Sequence, residues 1–98
     1  MAHTYFLSGS FDAEAATAKR AELETLSNSD TEVRLDLSEV DFLDSSGVGA
    51  IVFLYKRLSA RKIGLTLVGA DGQPARLLEF LRVPRVIPMV ATDLQRQA

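Results

Sequence analysis

Two adjacent serines are the side chains of this sequence most suited to taking part in chemistry. Ser45 and Ser46 lie between Asp44 and Gly47, where an apolar, strand-like run gives way to a helical one. The first turn of a helix leaves backbone N–H groups unpaired and carries partial positive charge. Small polar residues there either cap the helix or present a hydroxyl to an anionic group. The stretch therefore predicts one of these two roles, and the function of the protein depends on which.

The composition excludes most catalytic and metal-dependent chemistry. The 98 residues contain no cysteine and a single histidine, His3. Thiolate chemistry and a multi-histidine metal site are thereby excluded, and no histidine lies near the two serines in the sequence to act as a general base. We therefore expect no enzymatic activity, no metal and no cofactor.

Length and charge narrow the class of protein further. A chain of 98 residues that is 47% hydrophobic has the size of one domain, so residues 1–98 are predicted to form a single unit. Eleven basic and thirteen acidic side chains give a net charge of −2, which argues against nucleic-acid binding. The longest apolar run, residues 48–54, is too short to span a membrane, and no secretory leader is evident. A cytoplasmic protein is expected.

Hydrophobic periodicity predicts that strands and helices alternate along the chain. Strands are predicted at residues 4–7, 33–37 and 65–68, with a last short one at 85–87. Helices are predicted after an N-cap at Asp12, across residues 48–62, from about Pro74 to Leu81, and after Thr92 or Asp93. This β-α-β-α-β-α-β-α order favours a mostly parallel sheet with helices packed against it.

Several side chains outside the serine motif have ordinary structural interpretations. Phe53 and Tyr55 are expected to pack in the core, and Asp41 is either a solvated loop carboxylate or a recognition residue. A basic group is expected to form a solvated helix end that suits the helix dipole: Lys56, Arg57, Arg61 and Lys62. Four apolar residues near the last predicted strand are expected to close the core: Phe80, Leu81, Val83 and Ile87.

The serine motif and its flanks resemble the STAS domain of bacterial anti-sigma factor antagonists. The resemblance rests on the strand at residues 34–38, the run Val-Asp-Phe-Leu-Asp-Ser-Ser-Gly-Val-Gly at residues 40–49, and the helix containing Tyr55 and Lys56. It continues through Gly-Leu-Thr-Leu-Val-Gly at residues 64–69 and covers about residues 32–87. It implies an α/β, STAS-like fold with a mostly parallel or mixed four-stranded sheet. The family's usual extra N-terminal strand is expected to be missing, which leaves a sheet edge open to pairing with a partner or, in a homodimer, with a second copy of the chain.

The resemblance also implies a function for the motif. In this family the first serine accepts a phosphate, which places the acceptor on Ser45, with Ser46 as the alternative, and Asp44 matches an acidic residue needed for engagement with the kinase. The unmodified antagonist binds an anti-sigma factor that is also a serine kinase of the histidine-kinase-like ATPase type, and so frees the sigma factor. Phosphorylation ends this binding and a serine phosphatase restores it. The predicted partner-binding residues are Asp41, Asp44, Ser45, Ser46, Gly47, Val48 and Gly49.

A second function remains open for the same fold. STAS subunits of phospholipid-transport ABC complexes bind the transport ATPase and regulate it without a phosphoserine cycle. Several of these subunits carry Thr-Gly-Gly-like versions of the motif, so the intact Asp-Ser-Ser-Gly of residues 44–47 favours the phosphorylation-switched regulator.

Overall fold

Four strands, four α-helices and one short 3-10 turn make up the part of the protein that the structure describes. The structure is a computed structural model and describes residues 2–91. The strands are β1 (His3–Phe11), β2 (Val33–Leu43), β3 (Leu65–Val68) and β4 (Met89–Val90). The helices are α1 (Ala13–Ala18), α2 (Arg20–Leu26), α3 (Ser45–Ala60) and α4 (Gly72–Phe80), and a 3-10 turn spans Val83–Arg85.

The strands form one sheet in the order β1-β2-β3-β4, and every neighbouring pair is parallel. Connections between parallel neighbours are right-handed, so this strand order places the connecting helices on one face of the sheet. The helices α1, α3 and α4 each begin at the carboxyl edge of the sheet, where the preceding strand ends, and α2 continues from α1. The serine motif therefore lies at the carboxyl edge, and the far ends of α3 and α4 lie at the amino edge.

The core lies between the sheet and its helices. Leu7, Leu35 and Leu67 from the strands are at most 2% exposed and pack in the same cluster as Leu54 of α3 and Leu78 of α4. Full burial of such a side chain contributes about 1.5–3 kcal/mol relative to leaving it exposed. The apolar side of α3 thus packs against the sheet, and the opposite side of the helix faces solvent.

The predicted elements agree with the structure in most places. The α/β fold, the parallel sheet and the strands at residues 33–37 and 65–68 are confirmed. The Asp12 cap is also confirmed, because Asp12 Oδ1 accepts a hydrogen bond of 3.0 Å from the backbone N–H of Ala15. The helix that follows is interrupted at Lys19, whose φ of −93° and ψ of 4° separate α1 from α2.

The last strand was predicted at the wrong place. Residues 83–85 form a 3-10 turn with Pro84 near its start, and the strand is two residues long, at Met89–Val90. Ile87 is apolar because it is buried in the core at 1% exposure, not because it belongs to a strand. The terminal helix predicted after Thr92 or Asp93 lies outside the described residues.

Three apolar residues are exposed although they were predicted to be buried. Phe53, Phe80 and Leu81 are 54%, 81% and 44% exposed, although all three were predicted to pack in the core. Tyr55 is half-buried against the core, and Val83 is buried, as predicted. Within residues 2–91, no helix combines the length and apolar character needed to cross a membrane.

The ends of α3 and α4 provide a test of backbone strain. Lys62 and Arg82 follow the C-caps of these helices, and each has a φ of 63°, in the left-handed region that favours glycine. We expect Lys62→Gly and Arg82→Gly each to raise the free energy of unfolding by about 0.5–1 kcal/mol, because L-residues in this conformation are strained. Urea unfolding followed by circular dichroism measures the change.

Arg85→Gly is the matched control, since Arg85 is exposed and lies nearby at a position without positive φ. This control should show no gain in stability. Equal effects of all three substitutions would show that charge removal, and not backbone strain, is responsible.

Candidate functional site

The serine motif follows a strand that extends well beyond its neighbour. β2 has 11 residues and pairs with β1 from Val33 to Leu43, whereas its pairing with β3 ends at Asp36 opposite Val68. The last part of β2 therefore has no strand on its β3 side. Backbone groups there need other partners, because an unpaired N–H or C=O that is buried costs free energy.

Gln73 pairs with the last residue of this extension. The backbone N–H of Leu43 donates to Gln73 Oε1 at 2.8 Å, and Gln73 Nε2 donates to the Leu43 carbonyl at 2.7 Å. The side-chain amide thus takes the place of a neighbouring strand and holds the backbone one residue before Asp44. Sequence analysis missed Gln73, because no periodicity or spacing relates it to a residue 30 positions away.

Asp44 is the N-cap of α3. Its Oδ1 accepts a hydrogen bond of 2.9 Å from the backbone N–H of Gly47, and its carbonyl accepts from the N–H of Val48 at 3.0 Å. Ser45 and Ser46 are the first two residues of the helix, and both are exposed. Neither hydroxyl has a hydrogen-bond partner among residues 2–91. The carboxylate performs the capping role, which leaves both hydroxyls available.

Gly47 is required by packing. A Cβ atom at this position would overlap the carbonyl oxygen of Phe11 and would lie 2.7 Å from Leu43 Cδ1. The first turn of α3 therefore rests directly on the ends of β1 and β2. Val48 is also structural, since its side chain is 6% exposed and belongs to the core. These two members of the predicted partner-binding set face inward.

Gly49 is different, because nothing in the structure requires a glycine there. It is exposed, and a Cβ atom would meet nothing within 4 Å. Glycine inside a helix is less favourable than alanine by roughly 0.5–1 kcal/mol. The helix surface beside the two serines consequently has no side chain at Gly49 and is open to solvent. The glycine makes the helix less stable than alanine would.

Two acidic residues, Asp41 and Asp44, precede α3 in the chain. Asp41 is exposed and lies within β2, so it belongs to a strand and not to a loop as one of its interpretations required. Asp44 is half-buried at the cap. Two exposed hydroxyls and two carboxylates thus lie between positions 41 and 46. Residues 2–91 contain no cluster of side chains that could hold a metal ion.

Asp36, earlier in β2, closes a local turn with its carboxylate, and sequence analysis missed this turn. Asp36 is 1% exposed, and its Oδ1 accepts from the backbone N–H of Ser38 at 2.8 Å and from the Ser38 hydroxyl at 2.6 Å. This turn coincides with a shift of register between β1 and β2. Gly69, with a φ of 76°, packs against it, and a Cβ at Gly69 would lie 2.9 Å from that of Ser38. The turn shapes the part of β2 that leads to the motif.

The Gln73 contact can be tested with one atom changed. Gln73→Glu keeps the acceptor for the Leu43 N–H but places a second oxygen against the Leu43 carbonyl. We expect it to lower the free energy of unfolding by about 1–3 kcal/mol, the cost of leaving a buried polar group unsatisfied. Glu79→Gln, at an exposed position of the same helix, makes the reverse change and should stay within about 0.5 kcal/mol of wild type. Similar small effects in urea unfolding would contradict the contact.

The two glycines of the motif should respond oppositely to alanine. Gly47→Ala inserts a methyl group against the Phe11 carbonyl and should destabilise the protein by about 1–3 kcal/mol or more. Gly49→Ala enters open space and should stabilise it by about 0.5–1 kcal/mol. Thermal unfolding measures both changes. Destabilisation by Gly49→Ala would show that its position is also constrained by the fold.

Comparison with known proteins places this geometry in a family. The STAS domain family matches residues 2–95. An anti-sigma-B factor antagonist of Listeria monocytogenes is 34% identical over 83 residues, which is 84% of this chain and 73% of the relative.

Solved structures share the fold. SpoIIAA, an anti-sigma factor antagonist, in its unphosphorylated form aligns with a TM-score of 0.73 and 21% identity, over 96% of this chain and 83% of its own. A sulfate transporter family protein of Wolinella succinogenes aligns with a TM-score of 0.79 and 16% identity, over 93% of this chain and 77% of its own. The chain has a four-stranded parallel sheet and a capped helix that begins with two serines. Because the family model also matches nearly the whole chain, this protein is a member of the STAS domain family.

Proposed function

We propose that this protein is a phosphorylation-switched regulator that binds an anti-sigma factor and thereby releases a sigma factor or equivalent partner. The observation that carries the proposal is the division of roles at the start of α3. Asp44 caps the helix, so the Ser45 hydroxyl has no structural duty and is exposed in the first turn. A hydroxyl in this position can be modified without loss of the fold.

Ser45 is the proposed phosphate acceptor, with Ser46 as the alternative. Both side chains are exposed, and Ser45 directly follows the acidic residue that the family motif places before its acceptor. The first turn of α3 presents partial positive charge to an incoming phosphate. The lack of a side chain at Gly49 leaves space one turn along the helix for a partner to approach.

The partner must supply the catalytic machinery for the transfer. Phosphoryl transfer depends mainly on positioning, on metal ions and on stabilisation of the developing charge. We assign these functions to a serine kinase of the histidine-kinase-like ATPase type that is itself the anti-sigma factor. Ser45 is then a substrate of this kinase, and a serine phosphatase removes the phosphate.

Electrostatics explains why the modification would end binding. A phosphoserine adds about −1.5 to −2 charges, and at position 45 these join the carboxylates of Asp41 and Asp44. The helix dipole returns only about 0.3–1 kcal/mol, whereas an unpaired charge buried in an interface costs several kcal/mol. Repulsion therefore outweighs attraction, and each 1.4 kcal/mol or so lowers the affinity tenfold.

The relatives support the choice of partner. The Listeria monocytogenes protein is named as an antagonist of an anti-sigma factor. SpoIIAA has been solved in both unphosphorylated and phosphorylated forms. By analogy we place this chain in the cytoplasm beside its kinase, and the predicted homodimer stays a prediction.

The acceptor is tested by incubating the protein with Mg-ATP and the serine kinase encoded nearest to its gene, followed by mapping of the phosphate by mass spectrometry. We expect one phosphate on Ser45, lost in Ser45→Ala and kept in Ser46→Ala. Ser45→Asp should bind the kinase at least tenfold more weakly than Ser45→Ala, which isothermal titration calorimetry measures.

Two results would overturn the proposal. One is the absence of phosphate on both serines together with stable co-purification with a transport ATPase, which would favour the ABC-subunit function. The other is equal affinity of Ser45→Asp and Ser45→Ala for the kinase, because charge at this position would then not control binding.

A further inference from the structure

An exposed line of residues runs along α3 away from the proposed phosphate acceptor. Ser45, Gly49, Phe53 and Arg57 follow one another at intervals of four, which places them on one side of the helix. All four are exposed. The Arg57 guanidinium lies over the Phe53 ring, 5.2 Å from its centroid, and this cation–π contact holds the two side chains together.

The line borders a groove between α3 and the α1–α2 pair. The groove has a volume of about 410 Å³, within the range of about 300–1,000 Å³ typical of binding pockets. Ala16, Leu23 and Ala50 contribute small or apolar lining, and Phe53 forms part of one wall. The groove therefore has room for a bulky apolar side chain and offers it an aromatic contact.

The charges at the two ends of the line differ in sign. Arg20 and Arg57 line the groove together with one carboxylate, Glu24. The acceptor end carries Asp41 and Asp44 instead. A partner with the complementary charges would bind in one orientation only, with its acidic side chain at the groove.

We propose that this groove receives a bulky apolar side chain of the anti-sigma kinase, flanked by a carboxylate that pairs with Arg20 or Arg57. The proposal rests on the function proposed above and extends it by naming a second contact, separate from Ser45. Phe53 has the features of a binding hot spot, since it is a large aromatic residue, held in place by a neighbour and exposed before the partner arrives. Binding at the groove would align the kinase with the Ser45 hydroxyl.

The test measures the affinity of the purified full chain for the serine kinase encoded nearest to its gene, by isothermal titration calorimetry. Phe53→Ala and the double variant Arg20→Glu/Arg57→Glu alter the groove and leave Ser45 unchanged. We expect each to weaken binding at least tenfold and to slow phosphorylation of Ser45 at low kinase concentration. Because these side chains are exposed, circular dichroism should show that the variants remain folded.

Phe80→Ala is the matched control. Phe80 is even more exposed than Phe53 but lies at the far end of α4, away from both Ser45 and the groove. Its affinity for the kinase should stay within about twofold of wild type, because an exposed ring outside the interface contributes little to binding.

The outcomes separate this inference from the function on which it rests. If wild type binds the kinase in a Ser45-dependent manner but Phe53→Ala binds as tightly as Phe80→Ala, the groove proposal is wrong and the proposed function stands. If Phe53→Ala instead changes the oligomeric state in analytical ultracentrifugation without changing kinase affinity, a second copy of the chain occupies the groove. If wild type does not bind the kinase at all, both proposals fail.

Discussion

The end of β2 is held from two sides, and the position of the serine motif depends on this arrangement. On one side Leu43 pairs with Phe11 of β1, and on the other its backbone N–H and C=O both bond to the amide of Gln73. α4 thereby completes an edge that the short strand β3 leaves unpaired. Because Asp44 and the first turn of α3 follow directly, the direction of the helix is set by hydrogen bonds to a residue far along the chain.

The motif contains two kinds of residue: some form the helix start, and the others are exposed on its surface. Asp44 satisfies a backbone donor, and Gly47 lets α3 rest on the strand ends. Ser45, Ser46 and Gly49 have no comparable duties in the described chain, and all three are exposed. The function proposed above requires this division, because a modification of an exposed serine must leave Asp44 and Gly47 free to keep the helix start intact.

Arginines illustrate how one residue type serves different purposes along α3. Arg61 was predicted to belong to a solvated helix end, but its guanidinium donates to the carbonyls of Ser27 and Ser29 and pairs with Asp30 at 3.0 Å. It ties the end of α3 to the loop that follows α2. Arg57, one turn earlier, contacts Phe53 and borders the groove. The same helix thus carries a structural cation and a cation that is open to a partner.

The sequence by itself determined the features that depend on near neighbours. Alternating apolar residues predicted β2 and β3, and side-chain chemistry predicted the cap at Asp12 and a helix start at the serine motif, because periodicity and capping act within a few residues of the chain. The motif also identified the family. Tertiary structure alone decided that Gln73 completes β2, that Phe53 is exposed beside a groove, and that the last strand begins at Met89. These outcomes depend on which distant surfaces meet, and short-range patterns carry no information about that.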